Sequence, residues 1–420
     1  MRKIIVFIFL YIFCSEISYG NSILIPMDLK QSDHLKAYGV AYWALEQNIN
    51  VEWLLNYRGG SFLMDNYQNL EKILLLRGVS YSIITNTEAS QIYAQIEQNN
   101  MEIVLLEKAP DVAIYQPEKE TKWDDAVALA LDYAEIPYTK LWDEQVLTNQ
   151  LNKYDWLHLH HEDFTGQYGK FYRSFRNAAW YQESVRLNEK IAKKFGFKKV
   201  SREKLSVSIK IKDFVLNGGF LFAMCSATDA LDIALSAINT DIVDAVFDYD
   251  PVDPNYRSKI DYSNCMAFEN FEIITDPMVY EYSDIDIPPS NSPVLRSPEA
   301  DYFTLFEFSA KYDQVPTMLT QNHVSVVKGF MGQTTGFKKD KIKKTITILA
   351  EAEGTDQVKY LHGNLGRGTF TFLGGHDPED YQHFVGDPPT QLSLHKNSPG
   401  YRLILNNILF PAAKKKLRKT

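Results

Sequence analysis

Cys225 stands in the string Gly218-Gly219-Phe220-Leu221-Phe222-Ala223-Met224-Cys225-Ser226-Ala227. Phe220 to Met224 form a continuous apolar run, the pattern of a parallel strand buried on both faces. Ala227, Ala230, Leu231, Ala234 and Leu235 follow at helical spacing. The spacing therefore predicts Cys225 at a strand-to-helix turn, the setting of a nucleophile elbow. Such an elbow needs small residues two positions to either side, and Ala223 and Ala227 meet that need. A helix N-terminus also lowers a thiol pKa and favours the thiolate. A buried core cysteine fits the same string equally well, since free cysteine is among the most buried residue types.

Gly374-Gly375-His376-Asp377-Pro378-Glu379-Asp380 follows the apolar stretch Thr369 to Leu373. A histidine just past a strand end, beside a carboxylate, suits a general base with an orienting group. Sites in parallel sheets collect at the carboxyl ends of strands. A polar surface loop is the plainer reading of the same residues. His158, His160, His161, Glu162 and Asp163 lie past another predicted strand end. Alternation places His158 and His160 on one face, and a His-x-His pair can ligate a metal. His158, His160 and His376 are thus an alternative metal set, with Asp377 and His383 near by. No complete motif such as His-Glu-x-x-His is present, so a loop that shapes a pocket or donates hydrogen bonds is favoured and no cofactor is expected. Asp248, Asp250 and Asp253 lack EF-hand spacing, its glycine and its terminal Glu, and read as a loop.

These residues need elements to hold them. Strand-like runs fall at 23–26, 51–57, 81–85 and 103–106, with helical spacing at 34–47, 69–76 and 88–98. That predicts a small N-terminal α/β unit over 21–108. A larger unit over 109–420 has strands at 112–115, 138–142, 156–160, 220–224, 345–350 and 369–373. Its helices are expected at 124–134, 205–216, after Cys225 and at 401–409. Strands separated by helices predict a parallel sheet. Residues 164–204 read as a helical insertion; from 170 it carries 11 Lys or Arg against 3 Glu. A solvated basic face is the plain reading, a dock for an acidic protein partner the sharper one. Residues 241–345, rich in Asp, Pro and aromatics, read as a second insertion.

Met1-Arg2-Lys3, the apolar run Ile4 to Phe13 and Ser18-Tyr19-Gly20 resemble a signal peptide over 1–20. Export to a periplasm or cell surface is the expectation. A lipid anchor on Cys14 is disfavoured by Phe13, where a small residue belongs. No later segment is apolar enough to span a bilayer. The net charge of −9 and the 13% aromatic content argue against general nucleic-acid binding. Beyond Cys14 only Cys225 and Cys265 remain, too few for a disulfide framework.

The order of strand, Cys elbow, helix, long insertion, strand and His-x-Pro-Glu resembles the class I glutamine amidotransferase-like superfamily over residues 110 to 420. The resemblance implies an α/β fold with a three-layer, flavodoxin-like parallel sheet. It implies Cys225 as nucleophile, His376 as base, and Glu379 or Asp377 as orienter. Oxyanion donors would come from amides near Ser226 and the loop from His160 to Gly166, so His160, His161, Glu162 and Ser226 become substrate-binding candidates. Asp229 stands where the family's glutaminases carry Gln, Ala223 and Ala227 replace the flanking glycines, and Asp377 pushes Glu379 one place further on. The whole chain also resembles exported Bacteroidetes proteins that carry the label asparagine synthetase B. Arg2 stands where such synthetases expose a cysteine, and no Ser-Gly-Gly-x-Asp-Ser loop is present, so synthetase chemistry is not implied. The expectation is a Cys-His hydrolase or amidase acting on a small-molecule or peptide amide. The alternatives are a non-catalytic binding or assembly module on the same fold and a His/carboxylate metal-dependent hydrolase.

Overall fold

The computed structural model describes residues 22–117, 125–286, 299–313, 315–382, 384 and 386–414. His383 and the leader-like residues 1–20 lie outside that set. The protein is a mixed α/β structure whose strands are both parallel and antiparallel.

The first sheet contains β1 (Ser22–Ile25), β2 (Val51–Leu55), β3 (Ser61–Asp65), β4 (Ser82–Ile84) and β5 (Glu102–Leu106). Their order is β4-β1-β3-β2-β5 and every pair is antiparallel. The sequence pattern had no place for β3. It closes a hairpin with β2 through Arg58, Gly59 and Gly60, all at positive φ. A Cβ on Gly59 would come within 2.4 Å of the Met27 carbonyl, so the turn is built on glycine.

The second sheet contains β6 (Val112–Tyr115), β7 (Thr139–Leu141), β8 (Trp156–Leu159), β9 (Phe220–Met224), β10 (Tyr302–Leu305), β11 (Val326–Lys328), β12 (Phe337–Lys338), β13 (Thr347–Glu351), β14 (Gln357–Leu365) and β15 (Gly368–Leu373). Its order is β11-β10-β13-β14-β15-β9-β8-β6-β7, with β12 paired to β14. Only β15, β9, β8, β6 and β7 run parallel; the others pair antiparallel. The expected parallel sheet is therefore half of the sheet. The region 241–345 supplies β10, β11 and β12 to its antiparallel flank.

Alternation along the parallel strands feeds two cores, as a two-faced buried sheet must. Ile114, Trp156, Phe222 and Met224 face one core; Ala113, Leu157, Leu159, Leu221 and Ala223 face the other. The helices His34–Glu46, Ala126–Ala134 and Pro399–Leu409 fill the first core. Ile23, Ile25, Trp53 and Phe62 of the first sheet join that same core, so one helical layer is covered by a sheet on each side. The helices Val200–Leu216 and Ala227–Ser236 pack on the opposite face. Among the described residues no helix is long and apolar enough to cross a membrane.

Candidate functional site

Cys225 occupies the predicted turn between β9 and the helix Ala227–Ser236, with φ at 48°. A non-glycine residue in the left-handed region is strained. Its amide donates to the Gly375 carbonyl at 3.1 Å, which joins the turn after β9 to the turn after β15. The thiol itself is closed in. The segment Phe330 to Thr335 lies over it, and the Gln333 amide donates to the sulfur at 3.2 Å. A Cβ on Gly332 would stand 3.0 Å from that sulfur and 2.9 Å from the His376 nitrogen, so this flap approaches only because residue 332 has no side chain. Burial pushes the thiol up to about 11, against the pull of the Thr334, Gln333 and Ser226 amides. Cys225 is 1% exposed, and both Cys225 and Cys265 are free thiols.

The flap is pinned at three points. The Thr334 hydroxyl donates to Asp229 at 2.9 Å. The Gln333 side chain donates to the carbonyls of Gly169 and Tyr280. The buried Lys359 ammonium donates to the carbonyls of Phe330 and Thr335. Asp229 is thus a buried clasp at 1% exposure. Ser226 turns its amide to the sulfur, and the next amide, of Ala227, donates to the His160 carbonyl at 3.2 Å. In native protein we expect Cys225 to react with an aromatic disulfide at least ~100-fold more slowly than a free thiol, and both thiols to titrate once the chain unfolds. Reaction at the rate of a free thiol with an apparent pKa below 8.5 would mean that the flap opens readily.

The orienting carboxylates depart from expectation. Glu379 places an oxygen 3.0 Å from the Nδ1 of His395, and Asp377 accepts from the Glu379 amide at 2.9 Å.

The histidines, by contrast, converge. The His376 ring meets His160 edge-on at 4.2 Å between centroids and stacks on His161 at 5.5 Å. One ring nitrogen from each of His160, His161 and His376 lies within 4.8 Å of the others. His158 stands behind them instead of among them, which corrects the set His158, His160 and His376. Its Nδ1 lies 3.0 Å from the Phe222 carbonyl and its Nε2 3.1 Å from His160 Nδ1. Asp125 caps the helix Ala126–Ala134 by accepting from Val127 and Ala128 at 2.9 Å. The same oxygen stands 3.5 Å from His158 Nε2 and 3.8 Å from His160 Nδ1. Burial raises the Asp125 carboxyl, but His158 and the capping amides outweigh it and hold it at about 2. Asp125 is not among the residues that the sequence pattern singled out.

His161 and Glu162 also line a cavity of about 290 Å³. Its walls carry Trp142, Tyr168, Phe171, Trp180 and Tyr181, and Lys204 forms part of its floor. Pro117, Trp142 and His161 follow β6, β7 and β8. The cavity therefore opens where the order of the parallel strands reverses, the usual place for a ligand in such a sheet. Glu162 accepts from the His160 amide at 2.8 Å; burial, with the Asp125 charge adding, pushes its carboxyl up to about 8. Lys204 is spent on Asp143 at 2.7 Å.

Four of the eleven basic residues expected on the surface of 170–204 are used internally, Lys204 among them, while the other seven are exposed. Lys170 donates to the carbonyls of Ile274 and Asp276, and Arg202 to those of Ile238 and Thr240. Lys199 sits among Asp241, Asp248 and Asp250 at 2.5, 3.2 and 2.6 Å. Its ammonium thus takes the place a cation would hold in that acidic loop.

No family model matches the chain, and no curated protein does. Two of the solved structures similar to it come from Salmonella typhimurium. Cytoplasmic protein STM3548 from Salmonella typhimurium is 11% identical, with a TM-score of 0.35, over 73% of this chain and 100% of that one. Cytoplasmic protein STM1381 from Salmonella typhimurium LT2 is 13% identical, with a TM-score of 0.32, over 75% of this chain and 91% of that one. Both are named cytoplasmic proteins, in contrast to the expectation of export drawn from residues 1–20, which lie outside the described residues. At these TM-scores the likeness carries nothing about activity.

Proposed function

We propose that this protein hydrolyses a small carboxamide or related acyl compound held in the aromatic cavity. His160, His161 and His376 would handle the proton transfers, with Glu162 beside them. Hydrolysis adds a water oxygen to the acyl carbon, breaks the carbon–nitrogen bond and protonates the departing nitrogen. Imidazoles suit both proton steps near neutral pH. The observation that carries the reading is that His161 lines the cavity while its ring stacks on His376.

The fold supports it. The parallel strands, numbered one to five in chain order, lie in the order 2-1-3-4-5. That is the flavodoxin-like order, whose ligands bind at the switch point. We read this half of the sheet as flavodoxin-like, as the class I glutamine amidotransferase-like superfamily would require.

A second reading is favoured by the left-handed backbone at Cys225. It is a cysteine amidohydrolase of that superfamily, silent until the flap over the sulfur opens.

A panel of small amides and esters tests both. The first reading expects His161→Ala to lower kcat/KM by about 10²–10⁴-fold. Retention of activity in Cys225→Ala supports it, and loss supports the second. Quenching of Trp142 and Trp180 fluorescence by ligands that no variant turns over would identify a binding module instead.

A further inference from the structure

We propose that His160, His161 and His376 bind one transition-metal dication of the zinc class, with His158 and Asp125 as positioning residues. The inference rests on the cavity reading above and changes one role in it: with the three rings as ligands, the proton transfers pass to Glu162 beside them.

Three side chains supply the ligands, two from the end of β8 and one from the end of β15. Their ring nitrogens lie within 4.8 Å of one another. Zinc–imidazole bonds of 2.0–2.1 Å set ligand nitrogens roughly 3.3 Å apart in a tetrahedral site, so small χ rotations close the set. The backbones are already held. The His160 carbonyl accepts from Ala227, and the His376 amide donates to Met331 at 2.9 Å.

The hydrogen bonds behind His160 decide which nitrogen it offers. A carbonyl only accepts, so His158 must carry its hydrogen on Nδ1, facing Phe222. The Nε2 of His158 stands 3.1 Å from His160 Nδ1 and 3.5 Å from Asp125. His160 Nδ1 is therefore the engaged nitrogen, and Nε2 is the one that would serve as ligand. Metal-ligating histidines are held in this way, by a partner on the other ring nitrogen.

Asp125, His158 and His160 also lie within 4.8 Å of one another. That trio is a poorer metal site, because the His158 nitrogens are engaged by Phe222 and His160. The acidic loop 241–250 does not compete, since Lys199 fills it. An all-imidazole donor set selects zinc, copper, nickel, cobalt or iron over calcium and magnesium, which take oxygen ligands. Three protein ligands leave a coordination position for water or substrate. His161 and Glu162 place that position beside the cavity.

The test uses the full chain, stripped with a chelator and titrated with Co²⁺ and then Zn²⁺. One equivalent of Co²⁺ should bind with the visible absorption of a nitrogen-ligated tetrahedral ion, and Zn²⁺ should displace it. His161→Gln and His376→Gln should each abolish the spectrum. His158→Gln should weaken Zn²⁺ binding by ~10–100-fold while the far-UV circular dichroism stays unchanged. His161 is only half-buried, so its variant guards against simple misfolding. Absence of stoichiometric uptake by the wild type, or uptake indifferent to His161→Gln and His376→Gln, overturns the proposal. Uptake without hydrolysis of any substrate keeps the metal site and fells the hydrolase reading; hydrolysis by a wild type that takes up no metal does the reverse.

Discussion

Arg402→Met is expected to cost about 3–5 kcal/mol of stability and to lower Tm by roughly 5–10 °C. Arg402 lies on the helix Pro399–Leu409 and is fully buried. Its guanidinium donates to the Met27 carbonyl at 2.8 Å, to the Gly59 carbonyl and to the Tyr38 hydroxyl. Met27 and Gly59 belong to the turns after β1 and β2, so one side chain ties the first sheet to the shared helical layer. Methionine fills the volume but donates nothing, and each orphaned buried acceptor costs ~1–3 kcal/mol. Arg402→Lys should recover only part of the loss, because a point donor cannot serve three diverging acceptors. A denaturant midpoint for Arg402→Met within the error of the wild type would mean that the two sheets are held together by apolar packing alone.

That clasp illustrates what a sequence conceals. Arg402 sits in an apolar helical string, and nothing local says that its partners are carbonyls more than 300 residues away. The parallel half of the large sheet was legible because its strands are short apolar runs with helices between them. The elbow at Cys225 was legible too, from one apolar run, one change of period and two alanines. β3 was hidden behind a glycine turn. β10 to β12 were hidden because an antiparallel flank of two to four residues per strand carries too few positions for a period to show.

The site was half legible for a related reason. Alternation correctly put His158 and His160 on one face, and they do touch. The alternation ends with β8 at Leu159, so beyond it the chain bends and His161, not His158, turns to His376. The cavity wall of Tyr168, Phe171, Trp180 and Tyr181 was visible as composition only. That these rings enclose a space depends on where the helix Ala179–Lys194 and residues 168–171 sit relative to His161, just past β8. The Cys-His pairing implied by motif order needs an open path to the sulfur. The residues that close it, Gly332 to Thr334, lie more than 100 positions from Cys225 and carry no motif.

Asp229→Asn is expected to stabilise the protein at pH 8 by about 3–4 kcal/mol and to change little near pH 4. Asp229 is buried on the first turn of the helix after Cys225, and burial pushes its carboxyl up to about 7, against the hydrogen bond from Thr334. The unfolded carboxyl titrates near 3.8. Between those values the folded state holds a proton that the unfolded state has released. Stability from this group is therefore full below pH 3.8 and lost as pH rises through 7. Asparagine keeps the oxygen that accepts from Thr334 and cannot ionise, so the pH-dependent loss disappears with it. The Thr334 anchor itself should be weaker in the variant above pH 7, since a hydroxyl donates more strongly to a carboxylate than to an amide oxygen. Urea unfolding of both proteins at pH 4, 6 and 8 gives the comparison. A stability difference that stays constant across that range would mean that Asp229 is ionised in the native state. In that case the amides of the first helical turn, not burial, would govern the clasp over Cys225.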